Sequence, residues 1–120
     1  MKSAVVGSRT FNSYNYLKKV LQSLEITAII SGGARGADTL ARQYALENKI
    51  HLTEILPNWN LHGKSAGFKR NIEIVNKCEQ LVAFWDGQSK GTKYSIELAQ
   101  DKNKPVYIFW PTFEDLLFGD

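Results

Sequence analysis

The chain has 120 residues, 43% of them apolar, and its 15 lysines and arginines against 12 acidic residues leave a net charge of +3. That length predicts one domain over residues 1–120, with a core of two or three layers. The charge suits an anionic ligand without calling for nucleic acid, and the lone Cys78 excludes a disulfide framework, which points to packing in a reducing, cytoplasmic setting.

In chain order, the opening MKSAVVGSR holds too few apolar residues for a secretory segment or a membrane span, so no membrane is expected. Within it, residues 3–6 form a short apolar strand closed by Gly7-Ser8-Arg9. Leu17, Leu21 and Leu24 then recur at helical spacing, and residues 26–30 give a second strand that runs into SGGARGAD, residues 31–38. A second helix carries Leu40, Tyr44 and Ala45, residues 50–56 are the third strand, and residues 57–65 are a longer polar connection. Phe68, Ile72 and Val75 define the buried face of the next helix, which sets Arg70 and Asn71 off that face near its first turns. Residues 81–85 make the fourth strand, residues 86–92 a loop, Ile96 and Ala99 mark the last helix, and residues 106–110 the fifth strand. The tail PTFEDLLFGD reads as a short helix whose Phe113, Leu116, Leu117 and Phe118 either cap the core or meet a second subunit. Strict strand and helix alternation with near-continuous apolar strands predicts the α/β class: a single Rossmann-like domain, a five-stranded parallel sheet with helices on both faces.

In such sheets ligands sit beyond the carboxyl ends of the strands, so the loops after strands one, two and four carry the site. Glycine admits positive φ and close backbone approach, and the helix behind each loop adds positive potential. Gly7, Ser8, Ser31, Gly32, Gly33, Gly36 and Ala37 are therefore expected around a phosphate; a tight turn with Asp38 as helix cap is the competing role. Arg9, Arg35 and Arg70 are the cations to neutralise that phosphate, because a guanidinium binds it bidentately. Asn71, Asp86, Ser89, Gly91 and Thr92 complete the expected binding set. The loops match neither GxGxxG nor the Walker loop, since Asn58 occupies the place of the Walker loop's first glycine ahead of Gly63-Lys64-Ser65. Trp85 and Trp110 end strands and read as packing, whereas Trp59 lies in the polar connection and is the better placed to stack on a base. His51 and His62 have no partners at ligand spacing, so no metal is expected, nor any cofactor. The serines lack a histidine partner and a nucleophile elbow, which leaves Asp38 and Asp86 as acid–base candidates against their capping and turn roles.

AVVGSR (4–9), SGGARGAD (31–38), GKSAGFKRN (63–71) and AFWDGQSKGT (83–92) together resemble the SLOG superfamily, the Rossmann-like group that includes DprA (Smf) and the Lonely Guy phosphoribohydrolases. Within it the chain is most similar to the small YspA-type, YpsA-related proteins. The resemblance implies a pocket for a nucleotide or nucleotide-derived ligand, often in a homodimer or higher homo-oligomer. In the Lonely Guy enzymes, which cleave the N-glycosidic bond of cytokinin nucleotides, an arginine-bearing helix precedes a PGGxGTxxE loop. Arg70 matches that arginine and Gly91-Thr92 the Gly-Thr, but Tyr94 and Ser95 stand where those enzymes place glutamates. Glu97 lies about half a helical turn off that position and is the remaining carboxylate, spaced to pair with Lys93.

The leading expectation is a cytoplasmic protein that binds a nucleotide-derived small molecule, of ADP-ribose or cyclic-nucleotide type, for sensing or sequestration. One alternative is nucleotide hydrolysis at an N-glycosidic or phosphoester bond through Asp38, Asp86 or Glu97. The other is DprA-like binding of single-stranded DNA, for which a charge of +3 without a basic stripe is small.

Overall fold

Along β1 (Lys2–Gly7) Ala4 and Val6 face one way and Val5 the other, and all three are buried, so this strand is covered on both sides. The structure is a computed structural model in which residues 1–110 are described. The remaining strands are β2 (Ala28–Ser31), β3 (His51–Glu54), β4 (Gln80–Phe84) and β5 (Val106–Phe109). They form one sheet in the order β3-β2-β1-β4-β5, with every neighbouring pair parallel. The expected fold is thus observed.

Five helices connect them: α1 (Tyr14–Gln22), α2 (Ala37–Glu47), the single-turn α3 (Trp59–His62), α4 (Ala66–Lys77) and α5 (Lys90–Asp101). Leu17 and Leu21 of α1 and Ala41 and Tyr44 of α2 pack with Val5, Ile29 and Phe84 on one face. On the other, Ile74 and Val75 of α4 and Ile96 and Ala99 of α5 pack with Ala4, Ile30 and Leu81. The chain steps outward from β1 to β3, then crosses back to lay β4 against the other side of β1. Strand order therefore reverses between β1 and β4, which opens a crevice at their carboxyl ends.

Two local expectations need correction. The polar connection is not featureless: it holds α3, whose N–H at Leu61 is capped by Asn58 Oδ1 at 3.1 Å, and a 3-10 turn over Gly63–Ser65. The inward face of α4 is also rotated from the one expected. Its buried residues are Ala66, Ile74 and Val75, with Arg70 and Asn71 half-buried on the same stripe, while Phe68 is 48% exposed and meets Tyr94 edge-on at 5.3 Å. Two stripes of apolar residues fit one helical period here, and the large aromatic marked the outer one. The expected tail helix and the roles of Phe113, Leu116, Leu117 and Phe118 lie outside the described residues.

Candidate functional site

The glycines of the β2–α2 loop serve first to bring two loops together. Gly36 has φ +79°, and a Cβ there would strike the Ser8 carbonyl and the Arg9 backbone. Ala37 consequently lies close enough for its N–H to donate to the Ser8 carbonyl at 3.4 Å. One residue further on, in the first turn of α2, Asp38 folds back: its Oδ2 accepts from the Ala34 N–H at 3.1 Å and stands 3.0 Å from the place of a Cβ on Gly32. The loop expected to cradle a phosphate thus wraps around the chain's own carboxylate, and the amides of Ala34 and Ala37 are already engaged. Burial pushes the Asp38 carboxyl above its ordinary value, opposed by the Ala34 amide, the charge of Arg70 and the neighbouring Ser31 and Gly32. The Ser31 hydroxyl, fully buried, lies near enough to Asp38 to favour its ionised form yet makes no hydrogen bond of good geometry.

The inward stripe of α4 brings Arg70 over this carboxylate. Arg70 Nη1 donates to the Gly32 carbonyl at 2.8 Å and Nε to Asn71 Oδ1 at 2.8 Å. Burial pulls its pKa down, Asp38 pulls it up, and Arg9 pulls it down, so the two guanidiniums are close enough to repel. An arginine stays charged through such a shift. Arg9 is exposed and makes no ion pair among the described residues.

At the β4–α5 loop the acidic residue sits before the helix instead of within it. Asp86 Oδ1 accepts from the N–H groups of Gln88 at 2.8 Å and Ser89 at 2.9 Å, and the Asp86 N–H donates to Ser8 Oγ at 3.1 Å. Burial raises the Asp86 carboxyl, but the Ser89 and Gln88 amides and the Ser8 hydroxyl outweigh it and hold it below its ordinary value. Ser89 caps α5, its Oγ accepting from the Thr92 N–H at 3.4 Å and lying 3.1 Å from Thr92 Oγ1. The Gly91 amide, in the first turn, has no acceptor among the described residues.

Two cavities share the wall formed by Arg9, Ala34 and Arg70. The first, about 250 Å³, lies at the strand-order reversal, with Gly7, Asp38, Asn71, Ser89, Gly91 and Thr92 around it. The second, about 310 Å³, lies over the ends of β2 and β3, with Gly32, Gly33, Arg35 and Trp59. Ser8, Ser31, Gly36 and Ala37 support these walls from behind without lining either cavity. Asp86 is exposed and closes its own turn, and Glu97 is exposed on α5, so neither lines the cavities; of the three candidate acid–base residues only Asp38 does. Sequence reasoning missed Ser95, three residues beyond Thr92 and so on the same helical face, and Arg42, one turn beyond Thr39 in α2. Arg42 is held by Glu54 in a bidentate pair, Nε to Oε2 at 3.0 Å and Nη2 to Oε1 at 3.0 Å. Among the described residues no three His, Cys, Asp or Glu side chains gather for a metal, and no helix is long and apolar enough to cross a membrane.

Comparison with known proteins agrees with this architecture. Residues 1–62 match the profile of the YspA, cpYpsA-related SLOG family. The Gene 61 protein of Mycobacterium phage D29 is 37% identical over an alignment of 87 residues, gaps included, that covers 68% of this chain and 70% of that protein. DNA processing protein A (DprA) from Streptococcus pneumoniae superposes with a TM-score of 0.78 at 23% identity, over 97% of this chain and 52% of that one. DprA from Helicobacter pylori, described by its single-stranded DNA binding mode, superposes with a TM-score of 0.73 at 22% identity, over 90% of this chain and 64% of that one. This chain therefore spans between half and two thirds of either DprA chain, and at these identities the likeness is one of fold. With the profile match over its first half, the phage relative and the glycine-bearing loops at the strand-order reversal, the chain belongs to the YspA, cpYpsA-related SLOG family.

Proposed function

We propose that the chain binds a nucleotide or nucleotide-derived small molecule at the strand-order reversal, for sensing or sequestration, with its phosphate between Arg9, Arg70 and the first turn of α5. The observation that carries this reading is the pair of neighbouring guanidiniums on the wall common to both cavities, only one of which faces a carboxylate. Asp38 acts on the charge of Arg70 without forming an ion pair with it, and Arg9 has no ion-pair partner among the described residues, so two guanidiniums share one carboxylate and the crevice keeps a net positive charge. Gly91 and the positive end of α5 line the first cavity together with these arginines.

Arg9 gives the clean test, because it is exposed and holds no loop in place. Arg9→Ala should weaken binding of ADP or ADP-ribose by about tenfold or more, the worth of a charged hydrogen bond, with an unchanged melting temperature in calorimetry. Equal affinity in the variant and the parent would remove Arg9 from the site. Hydrolysis, were any of these ligands cleaved, would fall to Asp38, and Asp38→Asn should then abolish turnover while binding survives.

The second reading, single-stranded DNA, draws support from the two cavities joining along Arg9 and Arg70 and from the fold shared with a DprA that binds such DNA. It predicts an affinity for oligo-dT that falls steeply with salt, whereas a mononucleotide held by two arginines loses little.

A further inference from the structure

Trp59, with 57% of its surface exposed, lines the second cavity together with Leu56, Pro57, Arg9, Arg35 and Arg70. One edge of the indole meets α4, its Cη2 lying 4.0 Å from the place of a Cβ on Gly67. Asn58, capping the single turn that carries it, fixes the start of that turn. Leu56, 65% exposed, extends the apolar surface beside it, with one methyl leaning over Gly33, where a side chain would collide with it at 2.6 Å. Arg9 and Arg35 line the same cavity, neither in an ion pair among the described residues, while Arg42 is neutralised by Glu54. An exposed indole and unpaired guanidiniums lining one cavity suit a flat, π-rich group, since both indole and guanidinium stack on such rings.

From this juxtaposition we propose that the second cavity is a nucleobase subsite in which Trp59 stacks on the base, purine in preference to pyrimidine, of a ligand whose phosphate lies on the Arg9–Arg70 wall. The proposal rests on the phosphate reading above and adds the part of the ligand that the first cavity does not explain. Stacking on a side chain contributes energy only when a base is present, so its effect separates cleanly from that of the phosphate.

The experiment is titration calorimetry of the full chain, as parent, Trp59→Ala and Trp59→Phe, with AMP, UMP and ribose 5-phosphate. The exposed position of Trp59 keeps the variants folded, which circular dichroism checks. The parent should bind AMP more tightly than UMP, and UMP more tightly than ribose 5-phosphate. Trp59→Ala should weaken AMP by about tenfold and leave ribose 5-phosphate unchanged, and Trp59→Phe should recover most of the loss. A parent that binds AMP no better than ribose 5-phosphate, or a Trp59→Ala variant that loses nothing or loses both ligands equally, overturns the base subsite and leaves the phosphate site standing. A parent that binds none of the three overturns both.

Discussion

The two glycine-bearing loops at the carboxyl edge of the sheet have similar compositions but place their aspartates differently. Each introduces a helix and each contains an aspartate, yet Asp38 lies in the first turn of α2 and curls back onto the Ala34 amide, whereas Asp86 precedes α5 and ties the Gln88 and Ser89 amides. The first arrangement fills the loop with a buried carboxylate and needs Arg70 to balance it. The second spends its aspartate on the approach to the helix and leaves the first turn of α5 facing the cavity. A glycine-rich loop is therefore not by itself an anion site: where its own carboxylate falls relative to the helix start decides which amides remain open.

The largest effect should come from breaking the loop that is already filled. Gly36→Ala places a Cβ against the Ser8 and Arg9 backbone at φ +79° and should cost about 3 kcal/mol or more in urea unfolding. Gly63→Ala is the control, with φ +54° but open space, and should cost only about 1 kcal/mol. Next in size, Arg70→Met leaves the Asp38 carboxylate without its cation and should destabilise by about 2–3 kcal/mol. Adding Asp38→Asn should recover most of that stability without restoring ligand binding, which would separate Arg70 as a support of the loop from Arg70 as a binding residue. A double variant as unstable as Arg70→Met alone would show that the Gly32 hydrogen bond, not charge balance, is the support.

The smallest effects are those of pH, and the two aspartates should respond in opposite senses. The Asp38 carboxyl is raised in the folded state, so its penalty is absent below the ordinary value of 3.8 and grows as pH climbs through the folded value. The Asp86 carboxyl is lowered, so its contribution is present above 3.8 and is lost as pH falls through the folded value. Unfolding free energies measured across this range should fall less with rising pH in Asp38→Asn than in the parent, and less with acidification in Asp86→Asn. Identical slopes in parent and variants would contradict the contrast between the loops.

Local sequence was sufficient for the alternation of strands and helices, because β-branched runs, glycine breaks and helical spacing are properties of neighbouring residues. It was sufficient, too, for the loops that meet at the site, since a parallel sheet puts every strand's carboxyl end on one edge. It did not decide which stripe of α4 faces inward: Phe68 outweighs Ala66 in an apolar pattern, yet the sheet accepts the small residue there and leaves Phe68 to pack on Tyr94. That rotation put Arg70 on the inner stripe, over Asp38. Nor could spacing show that the Ala34 and Ala37 amides would be taken by Asp38 and the Ser8 carbonyl, or that Glu97 would lie away from the cavities. Those outcomes depend on which backbone groups, many residues apart, come within hydrogen-bonding distance, and only the closed tertiary structure fixes that.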